Sequence, residues 1–314
     1  MRAFLVDAFV RPGAPPPTGN CAGVVLVEGG GLDAAARLAV AAELGQTETA
    51  FVDALSSSAG VRRLTWCTPT TEVPLCGHAT LAAAAALVDA GGVEAGDGSP
   101  FRFATPVSGE LVVHHDRGLF ELDLPARPPG DAAPACVEAL SRALVGEAGV
   151  ASVSYNAALQ YVIVVLAATG AAGRAVLTAL APEPATLLAA APDRVSGAVA
   201  TTLDGSVMLS RFWGPWMGID EVGAAVEARG ERGLRPARAD PSAHSQDPVT
   251  GSAHTVLGPL WAPTLAPGSE SDTPRLAAEQ LSPRGGELTV RVQGGRVLVG
   301  GRGRIALRGE LSLV

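Results

Sequence analysis

Five consecutive alanines, Ala82–Ala86, lie within a segment from His78 to Ala90 that is apolar on nearly every side. Alanine is the best helix former, and a helix without a polar face is stable only when other parts of the protein surround it. The segment is far shorter than the ~20 apolar residues that a membrane span needs. It therefore predicts a buried central helix, and the rest of the chain must supply the strands that cover it.

The order of elements around this helix occurs twice. In the first half, strand-like runs lead to a Pro-containing turn and then to the small-residue helix. In the second half, strand-like runs lead to a turn at Asp247–Ser252 and to an apolar helix predicted over His254–Trp261. This repetition predicts an α+β fold of two pseudo-duplicated domains, residues 1–125 and 126–314, each a curved mixed sheet around a buried central helix.

Two features modify this plan. Residues 222–246 are polar and poor in large apolar side chains, which predicts a surface insertion in the second domain. The tail, residues 287–314, is typical of strands joined by Gly-rich turns, and its last strand is a candidate to cross back to the first domain.

Composition excludes several classes of function. All 23 basic residues are arginine, so the chain contains no lysine. Schiff-base chemistry, ordinary pyridoxal-phosphate chemistry and the P-loop each need a lysine and are excluded. The formal net charge of −8 provides no basic surface for nucleic acid or for an anionic membrane.

The four cysteines have no Cys-x-x-Cys spacing and no histidine pair nearby, so no zinc or other metal site is expected. Asp7 interrupts the apolar stretch that follows Arg2, which argues against a signal peptide. We expect a reduced, cytoplasmic protein.

Glu48 is the first candidate for chemistry. It lies between the end of a predicted helix, residues 32–44, and a predicted strand, residues 49–55. A carboxylate at such a junction is often only a solvated cap. It is also a candidate acid/base for proton transfer, with the hydroxyls of Thr47 and Thr49 on either side to orient it.

The second candidate is the helix start Cys76-Gly77-His78-Ala79-Thr80. Gly77 permits close approach of the backbone, and the first N–H groups of a helix favour an anion such as a carboxylate. His78 could add a donor or relay a proton. The alternative is that His78 is an ordinary structural residue.

A parallel start occurs at residues 247–254, where Gly251 corresponds to Gly77 and Ser252 lies where an N-cap hydroxyl is expected. Asp247 in an Asx-turn before a capped helix is the simplest interpretation. If the two helix starts instead faced one cleft, they would form a site for an anion and an enolate without any metal.

These residues lie in segments that resemble the phenazine-biosynthesis F (PhzF) family, which has the diaminopimelate-epimerase fold. The resemblance extends over nearly the whole chain and is most specific at residues 76–80 and 247–254. The matching segments are Gly19–Leu26, Glu48–Val52, Thr68–Ala82, Asp247–His254 and Gly301–Leu311.

The resemblance implies two like-folded domains around a central cleft, a homodimer and no cofactor. It implies that Glu48 moves a proton between carbons of a small unsaturated acid, with His78 and Asp247 as its catalytic partners. The residues that would bind the substrate are Asn20, Gly77, Thr250, Gly251 and Ser252.

The same comparison favours a double-bond isomerase over an epimerase or racemase. Diaminopimelate epimerase and proline racemase use one cysteine from each half as paired bases, whereas Cys76 is matched here by Thr250. Because the thiol has no partner, a Cys76→Ser substitution is expected to be nearly silent. The remaining alternative is a non-catalytic binding protein of the same fold, which would not need Glu48 as an acid/base.

Two departures from the family pattern predict a substrate other than the phenazine precursor. Gly218–Glu221 is separated from Asp247 by the insertion, and the tract Trp213–Met217 is bulkier than usual. The expected context is an isomerase of secondary metabolism, for example one that makes alkylproline units of antibiotics.

Overall fold

The computed structural model describes residues 1–15, 17–28, 31–55, 60–91, 99–130, 133–191, 194–217 and 246–312. The chain divides into two compact units, of which the first combines Met1–Leu124 with Leu298–Val314 and the second contains Pro125–Val297. The predicted surface insertion, residues 222–246, lies outside the described residues except for Gln246.

The described residues of the first unit form the helices α1 (Ala34–Leu44) and α2 (Gly77–Asp89). Its strands are β1 (Arg2–Ala8), β2 (Asn20–Val27), β3 (Thr49–Asp53), β4 (Val61–Cys67), β5 (Glu72–Val73), β6 (Phe101–Ala104), β7 (Glu110–Asp116), β8 (Leu119–Pro125) and β16 (Arg296–Glu310). The strand order is β1-β2-β3-β4-β6-β7-β8-β16, and β16 pairs again with β1, so these eight strands form a closed ring.

The second unit contains the helices α3 (Val137–Val145), α4 (Gly170–Ala179), α5 (Pro184–Ala190) and α6 (Gly251–Leu265). Its strands are β9 (Val150–Asn156), β10 (Tyr161–Leu166), β11 (Gly197–Asp204), β12 (Val207–Trp213), β13 (Gln246–Asp247), β14 (Leu276–Gln280) and β15 (Gly286–Gln293). The strand order is β9-β10-β11-β12-β14-β15, and the short β13 pairs with β12.

The two units repeat the same pairings in the same order, which confirms the predicted duplication. An antiparallel pair, β1 and β2, is followed by a parallel step to β3 and an antiparallel step to β4. The strands β9, β10, β11 and β12 make the same three steps. After β4 and after β12, a two-residue strand precedes a buried helix, and the next long strand is parallel to its partner.

Helix α2 is the buried central helix that the alanine run predicts. Every residue from Ala79 to Ala84 is fully buried, and the helix packs against β1, β2 and β3. Strand β16 also approaches it closely, since a Cβ added at Gly303 would lie 2.7 Å from the Cβ of Ala85. Side chains this small allow strands to close around the helix backbone.

Helix α6 is longer than predicted at both ends, and it contains Pro259 and Pro263. A proline inside a helix removes the hydrogen bond to the carbonyl four residues earlier. For Pro259 that carbonyl belongs to Thr255, and it accepts a hydrogen bond from the backbone N–H of Arg127 instead (3.0 Å). The helix therefore continues through a proline that would otherwise leave a buried carbonyl without a donor.

Four strands, β5, β9, β13 and β14, are not anticipated by the sequence analysis. Strand β14 has the sequence Leu-Ala-Ala-Glu-Gln, which favours a helix, but its backbone pairs with both β12 and β15. Strand β9 has small and partly exposed residues at the edge of its sheet, and β5 and β13 have two residues each. In each case pairing with distant strands decides the conformation.

In the part of the chain that the structure describes, none of the helices combines the length and the apolar character of a membrane span.

The contact between β16 and α2 can be tested with two glycines of the same strand. Gly303→Ala should lower the free energy of unfolding by about 1–3 kcal/mol, because the new methyl group overpacks against Ala85. Gly309→Ala is the matched control, since its Cβ would meet only Leu307 at 3.9 Å, and it should change stability by less than about 0.5 kcal/mol. Urea unfolding measures both, and equal effects would contradict the close packing.

Candidate functional site

Glu48 is placed by the end of α1 and the start of β3. Gly45 ends the helix in the left-handed region (φ 63°), and the carbonyl of Glu48 accepts a hydrogen bond from the N–H of Gly23 (3.0 Å). The Glu48 side chain is 22% exposed. A carboxylate fixed through its backbone and still accessible can exchange protons with a bound molecule.

His78 is the nearest ionisable partner of this carboxylate. Its Nε2 lies 3.5 Å from Oε2 of Glu48, and the His78 side chain is 7% exposed. The contact is an ion pair only when the imidazole is protonated, and Nε2 makes no hydrogen bond among the described residues. Leaving a buried polar atom unpaired costs about 1–3 kcal/mol, which favours a role for this nitrogen toward a ligand.

The other nitrogen of the same ring contacts Cys76. The Cys76 Sγ lies 3.4 Å from Nδ1 of His78, and both residues are buried. The imidazole therefore stands between a thiol and a carboxylate. The sequence analysis finds no second cysteine to act with this thiol. The thiol nevertheless contacts a side chain, that of His78.

The start of α2 leaves its first backbone N–H groups without a side-chain cap. Cys76 is the N-cap residue, and its side chain makes no capping hydrogen bond. A Cβ at Gly77 would meet only Leu122 at 3.6 Å, so the fold itself does not require glycine there. Close approach of a ligand to the backbone is a reason for Gly77 that the packing does not supply.

In the second unit, Asp247 belongs to a turn that Gln280 holds. Thr250 Oγ1 donates to Oδ2 of Asp247 (2.6 Å), and Gln280 Nε2 donates to the carbonyl of Asp247 (2.7 Å). The N–H of Thr250 donates to Oε1 of Gln280 (2.9 Å). Gln280 is fully buried, so the turn and its carboxylate are fixed by one amide side chain from β14.

The expectation that Ser252 caps α6 is wrong. Thr250 is the N-cap residue, and its hydroxyl is committed to Asp247, so it makes no capping bond either. Ser252 is the second residue of the helix, and its Oγ lies 2.9 Å from Oη of Tyr161.

The ring of Tyr161 packs against Phe212 and lies close to the backbone of Gly197. Its ring packs edge-on against Phe212, with centroids 5.1 Å apart, and a Cβ at Gly197 would lie 3.0 Å from the Tyr161 ring. Burial raises the pKa of Tyr161 to about 12, with a further rise from the charge of Asp247 and a lowering from the Ser252 hydrogen bond. The phenol is therefore neutral near pH 7 and can donate to Ser252.

The remaining predicted residues, Gly251 and Asn20, lie at the starts of α6 and β2. Gly251 is the buried first residue of α6. Asn20 is buried at the start of β2, opposite Ala8, after Gly19 in the left-handed region (φ +81°). A Cβ at Gly19 would lie 2.4 Å from the Ala8 carbonyl oxygen, so only glycine fits there.

The structure thus groups the predicted residues into two clusters, one in each unit. In the first cluster, His78 contacts both Glu48 and Cys76. In the second, Gln280 binds Asp247 and Thr250, which are bonded to each other. Tyr161 contacts Ser252 in the same cluster. The expected orientation of Glu48 by Thr49 is wrong, because the buried Thr49 hydroxyl makes no hydrogen bond in the described part of the chain.

His254, in the first turns of α6, is completely buried. Its Nδ1 lies 2.8 Å from the Thr250 carbonyl, which can only accept, so Nδ1 carries the proton and the unpartnered Nε2 is a lone pair. Burial lowers the pKa of His254 to about 4, against a smaller opposing effect of the Thr250 hydrogen bond. The ring is therefore neutral at pH 7.

This histidine predicts a loss of stability in acid. In the folded protein His254 binds its proton only near pH 4, whereas the unfolded chain binds it near the usual value of 6.5. Because the unfolded state binds more protons between these values, its contribution is complete above pH 6.5 and falls by about 3 kcal/mol as the pH drops to 4. His254→Asn keeps a donor for the Thr250 carbonyl and cannot titrate. Urea unfolding from pH 7 to 4 should show a shallower loss in this variant, and identical slopes would contradict the assignment.

Known proteins are similar to this chain in both sequence and fold. The family model described as phenazine biosynthesis-like protein (PhzC-PhzF) matches residues 6–230. A protein of Pseudomonas aeruginosa named an uncharacterized isomerase is 35% identical, over 99% of this chain and 98% of its own length.

Solved structures agree. A PhzF-family protein of Enterococcus faecalis superimposes with a TM-score of 0.75 and 27% identity, over 99% of each chain. A probable proline racemase of Agrobacterium radiobacter shares the fold, with a TM-score of 0.53 and 12% identity over 100% of this chain and 93% of its own. The chain therefore belongs to the phenazine biosynthesis-like (PhzC-PhzF) family.

Proposed function

We propose that the protein is an isomerase that moves a double bond in a small unsaturated amino or carboxylic acid by acid/base proton transfer. The observation that carries the proposal is the pair of Glu48 and His78, whose Oε2 and Nε2 atoms lie 3.5 Å apart beside a helix start that has no side-chain cap. The isomerase name of the Pseudomonas relative supports the same reaction class.

In the proposed reaction, the Glu48 carboxylate takes a proton from a saturated carbon of the substrate. The electron pair of that C–H bond moves into the adjoining double bond and forms a delocalised anion. Glu48 then returns the proton to a more distant carbon, so the double bond has moved and the enzyme is unchanged. His78 orients the carboxylate and helps to protonate the anion.

The helix start suits the charge that this reaction creates. Uncapped N–H groups at the beginning of α2 favour a carboxylate or an enolate, because they combine free donors with the positive end of the helix dipole. The start of α6 offers the same groups in the second unit. We assign Asp247 to catalysis, as a partner that orients and helps to protonate the substrate. The residues assigned to substrate binding are Asn20, Gly77, Thr250, Gly251 and Ser252. We expect no cofactor in this reaction, and the family resemblance suggests a homodimer.

The proposal extends to the substrate class and not to a pathway. The expected link to antibiotic biosynthesis depends on residues 222–246, which fall almost wholly outside the described ones, and on the bulky tract Trp213–Met217. Trp213 is buried in the core of the second unit, and Trp216 donates to the Ala191 carbonyl (2.7 Å). These two rings are accounted for by packing, so they offer no support for an unusual substrate.

A racemase is the rival that one observation favours, because the Cys76 thiol contacts His78. Its counterpart in the second unit is Thr250, which is likewise the N-cap of its helix and donates to Asp247. A neutral hydroxyl is a poor base toward carbon, so the start of α6 has no thiol to match Cys76 as the second base of a racemase.

Deuterium uptake tests the proposal. The protein is incubated in D₂O with a panel of small unsaturated amino and carboxylic acids, and NMR locates the deuterium. We expect uptake at one carbon with a moved double bond. Glu48→Gln should slow this by about 10²–10⁴, because it removes the positioned base. Glu43→Gln, a change on the exposed face of α1, is the matched control and should have little effect.

The other outcomes separate the rivals. Uptake at a stereocentre without double-bond movement, lost in Cys76→Ser, would identify a racemase. Absence of both deuterium uptake and double-bond movement across the panel would favour the non-catalytic binding protein. Full activity of Glu48→Gln would contradict the proposed mechanism.

The hydrogen bond between Tyr161 and Ser252 predicts a coupled effect on kcat/KM. Tyr161→Phe keeps the ring on Phe212 but removes the donor, and it should lower kcat/KM about fivefold. In a Ser252→Ala background the same change should have little further effect, because the contact is already absent. Tyr155→Phe is the control, since its hydroxyl bonds the Arg194 carbonyl. Additive effects of the two changes would show that Tyr161 does not act through Ser252.

A further inference from the structure

We propose that Glu48, Cys76 and His78 bind a zinc ion, which competes with the substrate for the site. One donor atom from each residue lies within 4.8 Å of the other two. This grouping of carboxylate, thiol and imidazole is not used as a unit by the proton transfer proposed above, which assigns no chemistry to the thiol.

The imidazole of His78 has a thiol near one of its nitrogens and a carboxylate near the other. Sγ of Cys76 lies 3.4 Å from Nδ1 of His78, and Oε2 of Glu48 lies 3.5 Å from Nε2 of the same ring. Zinc bonds of about 2.3 Å to sulfur and about 2.0–2.2 Å to nitrogen or oxygen separate neighbouring ligand atoms by about 3.5 Å. An ion can bind only one of the two nitrogens, so the side chains must turn to bring that nitrogen, the thiol and the carboxylate, whose donor atoms lie within 4.8 Å of one another, to tetrahedral spacing.

The burial of Cys76 and His78 favours a bound ion at this site. Cys76 is 7% exposed and His78 is 6% exposed, while Nε2 of His78 makes no hydrogen bond within the described residues. A buried imidazole nitrogen of this kind is a suitable ligand for a metal ion. Glu48 is the most exposed of the three residues and gives the ion a route to the site.

The donor chemistry selects the metal. A set of one sulfur, one nitrogen and one oxygen suits zinc, whereas magnesium and calcium prefer oxygen ligands alone. A thiolate and a carboxylate together balance the two charges of the ion, which offsets the unfavourable positive end of the α2 dipole. Three protein ligands leave the fourth position to water, as in zinc sites that are open to solvent.

The consequence for activity rests on the proposed function. An ion bound to Glu48 occupies the carboxylate that would accept the substrate proton, and one bound to His78 blocks its part in protonating the anion, so metal binding and proton transfer exclude each other. Binding itself does not depend on that function and can be measured without a substrate.

Cobalt(II) is the probe, because it replaces zinc and absorbs light. We expect the protein to bind one equivalent, with visible bands of a four-coordinate ion and a near-ultraviolet thiolate-to-cobalt band, both removed by added zinc. Binding should release the thiol proton of Cys76. Cys76→Ser should abolish the thiolate band and weaken binding at least about 100-fold, and Glu48→Gln, which keeps the thiol, should weaken binding while retaining that band.

Cys136→Ser is the matched control. Cys136, like Cys76, is a cysteine outside any disulfide at the N-cap position of a helix, here α3, so its replacement should leave the cobalt spectrum unchanged. Absence of the thiolate band in the unaltered protein, or its persistence in Cys76→Ser, would overturn the proposal. A protein that binds cobalt in this way but moves no proton would overturn the proposed function alone, and the converse result would overturn the metal site alone.

Discussion

The first unit depends on the close packing of strands around α2, a helix whose side chains are mostly alanine. The alanines of α2 allow β1, β2, β3 and β16 to approach its backbone, and Gly303 is the point where even a methyl group would be too large. A helix held this tightly has a fixed beginning. Cys76, Gly77 and His78 lie at that beginning, so the packing of the core also fixes the position of the groups that could carry the chemistry.

The position of the His78 ring gives the first cluster its character. One nitrogen faces a thiol and the other faces a carboxylate, and neither contact is a strong hydrogen bond. A ring held between two acidic groups can exchange protons or bind an ion without moving its backbone. The second cluster is different, because Asp247 and Thr250 are engaged in a short and well-saturated network. The first cluster thus has fewer hydrogen bonds to hold its side chains, and the second is the more firmly held.

The sequence predicts the features that depend on local pattern. The alanine run permits only a buried helix, the repeated turn and helix predict the duplication, and the residues around Glu48 and His78 are short motifs. Gln280 and Tyr161 could not be predicted in this way. Tyr161 lies 91 positions from Ser252 and Gln280 lies 30 positions from Thr250, so their roles exist only after distant strands have paired. The sequence analysis expects Ser252 at the N-cap of α6, whereas Thr250 is the N-cap residue. Its hydroxyl donates to Asp247 and not to the helix, so it makes no capping bond.

The turn from Asp247 to Thr250 is anchored by β12, which precedes it in the chain, and by residues that follow it. Gln280 binds both of its ends, and Ser282 donates to the Pro248 carbonyl (2.8 Å). Phe212 and Trp213 of β12 pair with Asp247 and Gln246, so contacts from earlier and later parts of the chain together hold the carboxylate of Asp247 in place. Changes of chain length between β12 and β13 can therefore accumulate over evolution while the same acid stays in register.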